Sequence, residues 1–482
     1  MTPMSTTRTD HRPAGGTPDL AAFAPPALRG DGAPPVAVVG AGIAGLVAAR
    51  ALRRRGVPVS VFEASRRIAG MATSFREPDG FTYDFGAHFI TNRLAAALGV
   101  GAQCRDVRRY GEAVFLRGRA YGYPFGLLRV PRFVAGAVAE RLRGGRGEAA
   151  SAADWYRAAY GRAVADEVAI PLVEAWSGIS AGDLAPSVIA PQLARGTAHV
   201  MRLKLASRLL GRAVANGYSR EMPETPHVWH VYPEGGVSLL CDEVARGLGD
   251  AVQLETPVEA IYVERGRAVG VRAGGRDVEA RAVVSTAPVH VLTRLVRGTD
   301  AFAHLARFRY RPMLFVNLRL RGRGVLPDVV TWTPEARLPF FRLTEAPASM
   351  PWLAPEGMTM VTADIGCEVG DAWWAMPDDE LGERCVDALD EIVPGARRRY
   401  DGCRVLRTPI AYPVFLREYE AERVAHERDA AVAGLRNVGR NAEFAHILME
   451  DIYWRTMVKM RDLADALDVR PRAGAPVARP RR

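Results

Sequence analysis

The first structured stretch of the chain shows the hydrophobic pattern of a strand, a helix and a second strand in immediate succession. Residues 36–39 are aliphatic without interruption, as in a buried strand. Apolar residues then recur at helical spacing up to Gly56, and a second strand-like run, 57–62, ends at Glu63. We expect this β–α–β unit to begin the principal domain of the chain.

The later pattern alternates helical and extended stretches without an internal repeat. Apolar residues at helical spacing predict further helices, and short apolar or alternating runs predict further strands. The predicted helices are 124–143, 152–176, 238–248, 378–392 and 451–467, and the predicted strands are 252–272 (two, around a turn), 278–286, 312–320, 358–365 and 435–441 (a short strand running into a loop). This mixture of strands and helices indicates an α/β fold.

Length and composition are those of a globular protein large enough for two or three lobes, with 482 residues, 48% hydrophobic and 24% charged. No apolar run approaches the roughly 18 residues that a membrane-spanning helix needs. Residues 1–34 lack the apolar core of a signal peptide, so we expect a disordered arm there. Residues 468–482, rich in proline and arginine, are predicted to form a flexible tail.

Cysteine usage and net charge limit the partners that we expect. The five cysteines are never spaced as C-x-x-C, and no metal-ligand set appears, so we predict no disulfide framework, no metal and a cytoplasmic location. The net charge of +10 invites a nucleic-acid partner, but the arginines are dispersed and their denser runs, at 53–55 and 397–399, are short. We interpret this charge as solvated surface and expect no nucleic-acid partner.

The turn between the first strand and the helix carries the strongest chemical signal. Gly40 permits a tight turn, Gly42 lets a pyrophosphate approach the backbone, and Gly45 lets the helix pack against the strand. The helix N-terminus presents free N–H groups and a partial positive charge to phosphates. Glu63 is placed to accept hydrogen bonds from a ribose 2′-hydroxyl, which disfavours NADP. The loop therefore predicts a site for FAD or NAD, and the alternative is a glycine-rich turn without a ligand.

Further motifs follow the acidic residue and recur late in the chain. They are Arg67 to Gly70 followed by Met71 and Ala72, Phe85-Gly86-Ala87-His88-Phe89, Tyr232-Pro233-Glu234-Gly235-Gly236, Val258 within 256–261, Gly439-Arg440-Asn441 and Glu450-Asp451-Ile452. From about residue 36 to residue 467, the chain resembles the flavin-dependent superfamily that includes protoporphyrinogen oxidase, monoamine oxidase and UDP-galactopyranose mutase. Two residues depart from the family pattern, because Ala69 replaces the first glycine of the R-x-G-G segment and Met71 stands where amine oxidases usually carry arginine.

The resemblance implies FAD as the cofactor and a flavoprotein of the two-dinucleotide-binding-fold type. A Rossmann-like FAD-binding domain is then expected at 35–123, 226–300 and 406–467. An inserted α+β substrate domain is expected to consist of a helical cap region at 124–225 and a sheet with a helix at 301–405.

The resemblance also implies FAD contacts residue by residue. In the family pattern His88 lies beside the isoalloxazine ring, which makes it the candidate catalytic residue, although packing against the ring is the favoured role. Arg440 is expected to contact FAD phosphates, since a guanidinium matches phosphate oxygens in a bidentate fork. The residues expected to bind FAD are Gly40, Ala41, Gly42, Ile43, Ala44, Gly45, Glu63, Ala64, Arg67, Gly70, Met71, Ala72, Gly86, Ala87, His88, Val258, Gly439, Arg440, Asp451 and Ile452.

Three features of the middle region have two interpretations each. The basic stretch 124–143 is interpreted as a cap over a substrate pocket, and contact with a membrane surface is the alternative. The aromatic residues of 152–176 are interpreted as core rather than as a substrate cage. His230 is interpreted as a structural histidine rather than as part of the substrate face.

The activity that the resemblance implies is oxidation of a small organic substrate by hydride transfer to flavin N5, as in bacterial biosynthetic pathways, with dioxygen as the expected acceptor. One alternative is a sugar isomerase similar to UDP-galactopyranose mutase. The other is a non-catalytic binding protein similar to the GDP dissociation inhibitors, which would be expected to lack both the acidic residue and the G-R-N loop. The substrate, a catalytic acid or base and the oligomeric state are not predicted.

Overall fold

The computed structural model describes residues 33–86, 88–143, 149–189, 197–428 and 431–467. Residues 1–32 of the predicted arm lie outside these ranges, as do Ala87 and the whole of the predicted tail. The strands are β1 (Val36–Val39), β2 (Val59–Phe62), β3 (Ser74–Arg76), β4 (Thr82–Asp84), β5 (Ile90–Thr91), β6 (Cys104–Asp106), β7 (Glu112–Leu116), β8 (Arg119–Gly122), β9 (His230–Pro233), β10 (Val252–Gln253), β11 (Val258–Glu264), β12 (Arg267–Ala273), β13 (Arg276–Glu279), β14 (Ala282–Ser285), β15 (Val296–Arg297), β16 (Arg309–Arg321), β17 (Val330–Trp332), β18 (Arg342–Thr344), β19 (Met358–Gly366), β20 (Tyr400–Val414) and β21 (Leu435–Asn437). The helices are α1 (Ile43–Arg54), α2 (Asn92–Leu98), α3 (Pro131–Arg143), α4 (Ala152–Tyr160), α5 (Arg162–Val164), α6 (Ile170–Ser177), α7 (Thr197–Leu210), α8 (Leu239–Arg246), α9 (Val289–Leu295), α10 (Ala372–Ala375), α11 (Asp378–Ile392), α12 (Glu420–Glu427) and α13 (Met449–Ala466), with a π-helix (Ala165–Ala169) between α5 and α6.

A parallel sheet in the order β10-β2-β1-β14-β21 forms the first layer. Both faces of β1 are covered: Val36 and Val38 face the core shared with α1 and α13, whereas Ala37 and Val39 face the core shared with β11 and β12. Burial on both faces explains why this strand is a continuous aliphatic run instead of an alternating one. The sheet gathers strands from distant parts of the chain, since β21 begins only at Leu435.

A second, largely antiparallel sheet has the order β20-β16-β19-β18-β17-β7-β8. Its long strand β16, next to the edge strand β20, pairs antiparallel with β19 and β20. Helix α11 covers one face through Leu381, Cys385 and Leu389. On the other face, Met313 and Phe315 pack with Phe81 and Tyr83. Phe315 and the loop between β1 and α1 border a common space.

Helices α3 to α6 form a separate layer over that space. Helices α3 and α4 approach each other so closely that a Cβ at Gly161 would lie 2.5 Å from the backbone of Gly136. Gly161 also has a φ of +79°, which only glycine adopts without strain. This close approach packs α3 against α4 and α5 within the helical layer.

The fold class predicted from the sequence is confirmed as α/β, and most predicted elements form. The single predicted helix 152–176 is wrong in one respect, because Gly161 divides it into α4 and the α5–π–α6 segment. Helix α3 begins only at Pro131, since proline suits a first helical position and disfavours helix for the residue before it. The predicted strand 278–286 is two strands, β13 and β14, in different sheets.

None of the helices in the described residues is long and apolar enough to cross a membrane.

Candidate functional site

The loop between β1 and α1 is packed so tightly that the protein itself requires two of its glycines. Gly40 has a φ of +94°, and a side chain there would overlap Thr286 Oγ1. A Cβ at Gly45 would overlap the carbonyl oxygen of Gly40. Gly42, at the N-cap of α1, differs, because the atom nearest to a Cβ placed there is the Ala69 carbonyl oxygen at 4.0 Å. Internal packing therefore does not require the glycine at position 42, and the space beside its backbone is open.

Glu63 follows β2 and is held at the edge of this loop. Its Oε2 accepts a hydrogen bond from the Ala41 N–H at 2.8 Å. Its Oε1 accepts from the Ser65 N–H at 2.9 Å and from Ser65 Oγ at 2.8 Å. Three donors thus fix the carboxylate beside the glycine loop, where it can also accept from a ribose hydroxyl.

One cavity of about 1260 Å³ extends from the glycine loop into the helical layer. Its volume exceeds the roughly 300–1,000 Å³ that encloses one drug-sized ligand, so it has room for more than a single small molecule. We call its first end the nucleotide cradle, lined by Gly40, Gly42, Ile43, Ala44, Glu63, Gly70, Met71, Ala72 and Gly439. We call its second end the apolar annex, lined by Leu127, Phe133, Val134, Val138, Trp155, Tyr156, Tyr160, Val164, Val168 and Leu172.

Between the two ends, histidine, arginine and aromatic side chains wall the cavity. His88 Nδ1 has no hydrogen-bond partner among the described residues, and burial, reinforced by Arg440, lowers the pKa of His88 to about 4. Burial and Arg440 likewise lower the pKa of His446 to about 3. Arg440 donates from Nε to the Ile447 carbonyl at 2.9 Å, and its Cζ lies 5.4 Å from the Tyr412 ring centroid. Near neutral pH both imidazoles are therefore uncharged, and Arg440 supplies positive charge to this part of the wall.

A polar group of three side chains, Tyr110, Glu112 and Lys204, lines the same cavity. Lys204 Nζ lies 3.1 Å from Glu112 Oε2, and the two side chains are 13% and 17% exposed. Lys204 Nζ also lies 5.1 Å from the Tyr110 ring centroid, and the Tyr110 hydroxyl donates to Glu112 Oε1 at 3.3 Å. Because each member has a partner, this polar group can lie beside apolar walls without an uncompensated charge.

Sequence reasoning missed this polar group and also Arg342, which lines the cavity and pairs with the buried Asp364. These residues are isolated in the sequence and meet only in the folded chain. The one usable signal was Lys204, a rare lysine in a chain that otherwise uses arginine.

The structure brings most of the residues expected to bind FAD to one cavity, and places others elsewhere. Lining the cavity are Gly40, Gly42, Ile43, Ala44, Glu63, Gly70, Met71, Ala72, His88, Gly439, Arg440 and Ile452. Outside its lining lie Ala41, Gly45, Ala64, Arg67, Gly86, Val258 and Asp451, and Ala87 lies outside the described residues.

The residues outside the lining have contacts of their own. The buried Asp451 carboxylate accepts hydrogen bonds from Ser219 Oγ and from the Arg220 and Glu221 N–H groups, so it holds the loop before β9. Ala64 and Arg67 are exposed beside Glu63.

The structure bears differently on the three features of the middle region. Helix α3 covers the cavity through Phe133, as expected of a cap. Trp155 and Tyr156 pack in the core of the helical layer and also line the cavity. His230 is fully buried and lies outside the cavity lining, which matches the structural interpretation.

The tight glycine loop, the acidic residue fixed beside it and the adjoining substrate-sized space have the architecture of a cofactor-dependent enzyme with a Rossmann-like fold. Residues 43–435 match the family model described as "Flavin containing amine oxidoreductase". The chain therefore belongs to the flavin-containing amine oxidoreductase family, and it is a flavin-dependent oxidoreductase. This confirms the superfamily resemblance inferred from the motifs.

Curated relatives match over one short segment. The chain is 45% identical over 55 residues to 4,4'-diapophytoene desaturase (4,4'-diaponeurosporene-forming) of Staphylococcus haemolyticus, which is 11% of each chain. It is 48% identical over 56 residues to protoporphyrinogen oxidase 2, chloroplastic/mitochondrial, of Arabidopsis thaliana, which is 12% of this chain and 11% of that protein. The chain thus matches only about a tenth of the length of these relatives.

Solved structures match over nearly the whole chain at low identity. Reduced UDP-galactopyranose mutase has a TM-score of 0.72 at 17% identity, covering 90% of this chain and 96% of that one. A putative protoporphyrinogen oxidase from Exiguobacterium sp. 255-15 has a TM-score of 0.69 at 18% identity, covering 91% and 100%. Cyclohexylamine oxidase from Brevibacterium oxydans has a TM-score of 0.68 at 18% identity, covering 90% and 99%. At these identities the likeness shows the fold alone.

Proposed function

We propose that the chain binds FAD in the nucleotide cradle and oxidises a small, predominantly apolar organic molecule that occupies the apolar annex. The observation that carries this proposal is the single cavity, which joins the cradle to the annex without an intervening wall. A ligand in the annex would therefore meet whatever the cradle holds.

The residues of the cradle suit the parts of FAD. The open backbone at Gly42 and the N-terminus of α1 would receive the pyrophosphate, and the fixed carboxylate of Glu63 would accept from a ribose hydroxyl. Arg440 would place its guanidinium beside the anionic or electron-rich part of the cofactor. When bound, the flavin supplies the acceptor for the two electrons of a C–H bond, and we propose dioxygen as the final acceptor.

The chain's own residues bind and shield the substrate. Phe315, Phe341 and Trp176 line the centre of the cavity and exclude water from it. The neutral His88 can accept a hydrogen bond but is too weak a base to hold a proton near pH 7, because burial depresses its pKa to about 4. We therefore assign His88 a role as acceptor or as packing surface, not as a general acid.

A sugar-diphosphate substrate, as in a mutase-like isomerase, fits the annex less well. Such a substrate needs cations to bind its phosphates. Among the described residues that line the cavity, Arg141 is the only arginine that α3 to α6 contribute. The apolar lining favours oxidation of an apolar molecule.

A visible spectrum of the purified protein tests the proposal. We expect the absorption bands of oxidised flavin, which dithionite bleaches and air restores, and we expect mass analysis of the released cofactor to identify FAD. Bands that air does not restore would contradict dioxygen as the acceptor. A protein that stays colourless with excess FAD would overturn the proposal and favour a non-catalytic binding protein.

The Glu63→Ala variant tests the assignment of the cradle. We expect retention of FAD to fall by roughly tenfold or more, since a hydrogen bond to a charged group contributes about 1.5–3 kcal/mol. Glu259→Ala is the matched control, because Glu259 is an exposed carboxylate at β11 outside the cavity. Equal FAD retention in both variants would contradict the role of Glu63.

A further inference from the structure

Exposed apolar side chains are concentrated at one place on the surface. Ten large hydrophobic residues are exposed in the described part of the chain, and seven of them lie on α3, on α7 and in the turn before α3. We call these seven the mouth patch: Leu128, Val134, Val138, Leu142, Leu205, Leu209 and Leu210. Leu142 and Leu209 are 83% and 79% exposed, so neither is explained by the core. A concentration of this kind marks an interaction surface.

The mouth patch surrounds an opening of the apolar annex. Leu128, Val134 and Val138 are exposed and also line the cavity, so the cavity reaches the surface between them. Helix α7 adjoins this opening, because the Arg208 Cζ lies 4.7 Å from the Phe125 ring centroid just before Leu128. The two halves of the patch therefore belong to one surface.

The same elements are rich in arginine. Exposed arginines on them are Arg129, Arg132, Arg141, Arg143, Arg202 and Arg208. Two carboxylates offset part of this charge, since Glu140 pairs with Arg143 and Glu167 pairs with Arg132. The surface thus combines protruding leucines with an excess of positive charge.

We propose that the mouth patch docks on an anionic lipid bilayer, from which the annex receives its apolar ligand. Apolar side chains of an interfacial helix enter the boundary between headgroups and acyl chains, while arginines attract anionic headgroups. Docking goes beyond the proposed function, because it requires neither FAD nor turnover, whereas the delivery of an apolar ligand to the annex rests on that function.

A second copy of the chain is a poorer occupant of the patch. A symmetric contact places the same surface on both partners, so it would bring the two sets of arginines together. It would also close the opening between Leu128 and Val138. An anionic bilayer instead complements the charge and dissolves apolar ligands.

Vesicle binding tests the proposal with the full chain loaded with FAD. We expect co-sedimentation with vesicles of phosphatidylcholine containing about one third phosphatidylglycerol, and clearly weaker binding to pure phosphatidylcholine. Raising the salt concentration from about 0.1 M to about 0.5 M is expected to weaken binding to the anionic vesicles, because added salt screens the arginines. Absence of binding to the anionic vesicles at low salt would overturn the proposal.

Two pairs of variants locate the docking surface. Leu142→Glu with Leu209→Glu is expected to lower the partition coefficient by roughly tenfold or more, because both leucines would leave the bilayer. Val369→Glu with Val458→Glu is the matched control, since both valines are exposed elsewhere on the surface. Equal losses in the two double variants would overturn the assignment to the mouth patch.

Charge is tested separately. Arg129→Gln with Arg202→Gln is expected to weaken binding to anionic vesicles by roughly fivefold for each arginine removed, with no change on pure phosphatidylcholine. The control is Arg276→Gln with Arg294→Gln, which removes two exposed arginines elsewhere. If the control double variant weakened binding to anionic vesicles equally, the arginines near the mouth patch would have no special role in docking.

Light scattering and absorbance complete the test. A concentration-dependent dimer that Leu142→Glu with Leu209→Glu abolishes would identify the patch as a contact between copies and overturn the proposal. The visible spectrum is recorded on the same samples, so a colourless protein that binds vesicles would contradict the proposed function alone.

Discussion

The two ends of the cavity are built in different ways. The nucleotide cradle is made largely of backbone and small residues, held by contacts such as those at Gly40 and Gly45. The apolar annex is made of side chains from the turn before α3, from α3 to α6 and from the π-helix, which meet only in the folded chain. The cradle therefore tolerates little change in its loop, whereas the annex can change its lining with little effect on the fold. This difference suits a family that keeps one cofactor and varies its substrates.

The largest expected effect separates two glycines of the loop and helix that follow β1. Gly45→Ala is expected to lower the free energy of unfolding by about 3 kcal/mol or more, because its Cβ would overlap the Gly40 carbonyl. Gly42→Ala is expected to stay within about 1 kcal/mol of the unchanged protein and yet to lose FAD. Urea unfolding without cofactor and flavin absorbance measure the two effects. Equal destabilisation by both would show that packing alone explains the loop.

A smaller effect is expected at the polar group beside the annex. Lys204→Met leaves the Glu112 carboxylate largely buried without its cation, so we expect a loss of about 2–3 kcal/mol of stability. Adding Glu112→Gln is expected to restore part of that loss, as the double-mutant comparison by urea unfolding would show. Additive losses would mean that the two side chains do not interact.

Filling the annex is expected to change ligand binding and to leave the cradle intact. Val168→Phe places a ring where Val168 lines the cavity, so affinity for the apolar dye anilinonaphthalene sulfonate is expected to fall about tenfold. FAD content is expected to stay unchanged, and Val369→Phe on the exposed surface serves as the control. Loss of FAD along with the dye would indicate that the two ends are not independent.

The smallest expected effect is a pH dependence at His230, which lies behind three aromatic side chains that line the cavity. His230 packs against Phe89, Tyr110 and Tyr218, and burial lowers the pKa of His230 to about 3. As the pH falls below about 6.5, the unfolded chain binds a proton that the native histidine does not, so stability is lost. We expect His230→Asn to remove about 0.8 kcal/mol of the stability lost between pH 7.5 and pH 6.

Protonation of Asp84 changes the stability in the opposite direction over the same pH range. Burial raises the pKa of Asp84 to about 6, so the native state takes up a proton before the unfolded state does, which offsets part of the loss. This contribution is common to the unchanged protein and the His230 variant, and it cancels in the comparison of their urea midpoints. An unchanged pH slope in the variant would show that His230 is not the titrating group.

The cradle could be predicted from the sequence because its signals are local. The β1–α1–β2 unit and the whole of α11 form where the pattern predicts them, since their periodicity lies within one short stretch. The sequence predicts a cap over a pocket at 124–143, but the residues that line the annex could not be predicted, because they depend on how α3 approaches α4 where Gly136 meets Gly161. The helix break at Gly161 itself follows from this tertiary contact, which no local pattern contains.

The contacts of individual polar residues also could not be predicted from local sequence patterns. Asp451 stands in a motif beside Ile452, yet only Ile452 lines the cavity, because the Asp451 carboxylate accepts hydrogen bonds from the loop at 219–221. The pairing of Glu112 with Lys204 joins residues separated by 92 positions. A motif fixes the neighbourhood of such residues, but the direction of each side chain depends on contacts from other segments.

The order of strands in the parallel sheet has a consequence for how the protein is made. The Thr286 hydroxyl, which donates to the Val39 carbonyl, is separated from it by 247 positions, and β21 completes the sheet only at Leu435. During synthesis, the loop between β1 and α1 therefore leaves the ribosome long before β14 and β21 exist. Such long-range parallel pairing is slow to form, because loop closure is costly until distant contacts repay it. The nascent chain thus holds an unfinished sheet edge through most of its translation, and the cofactor can be captured only near the end.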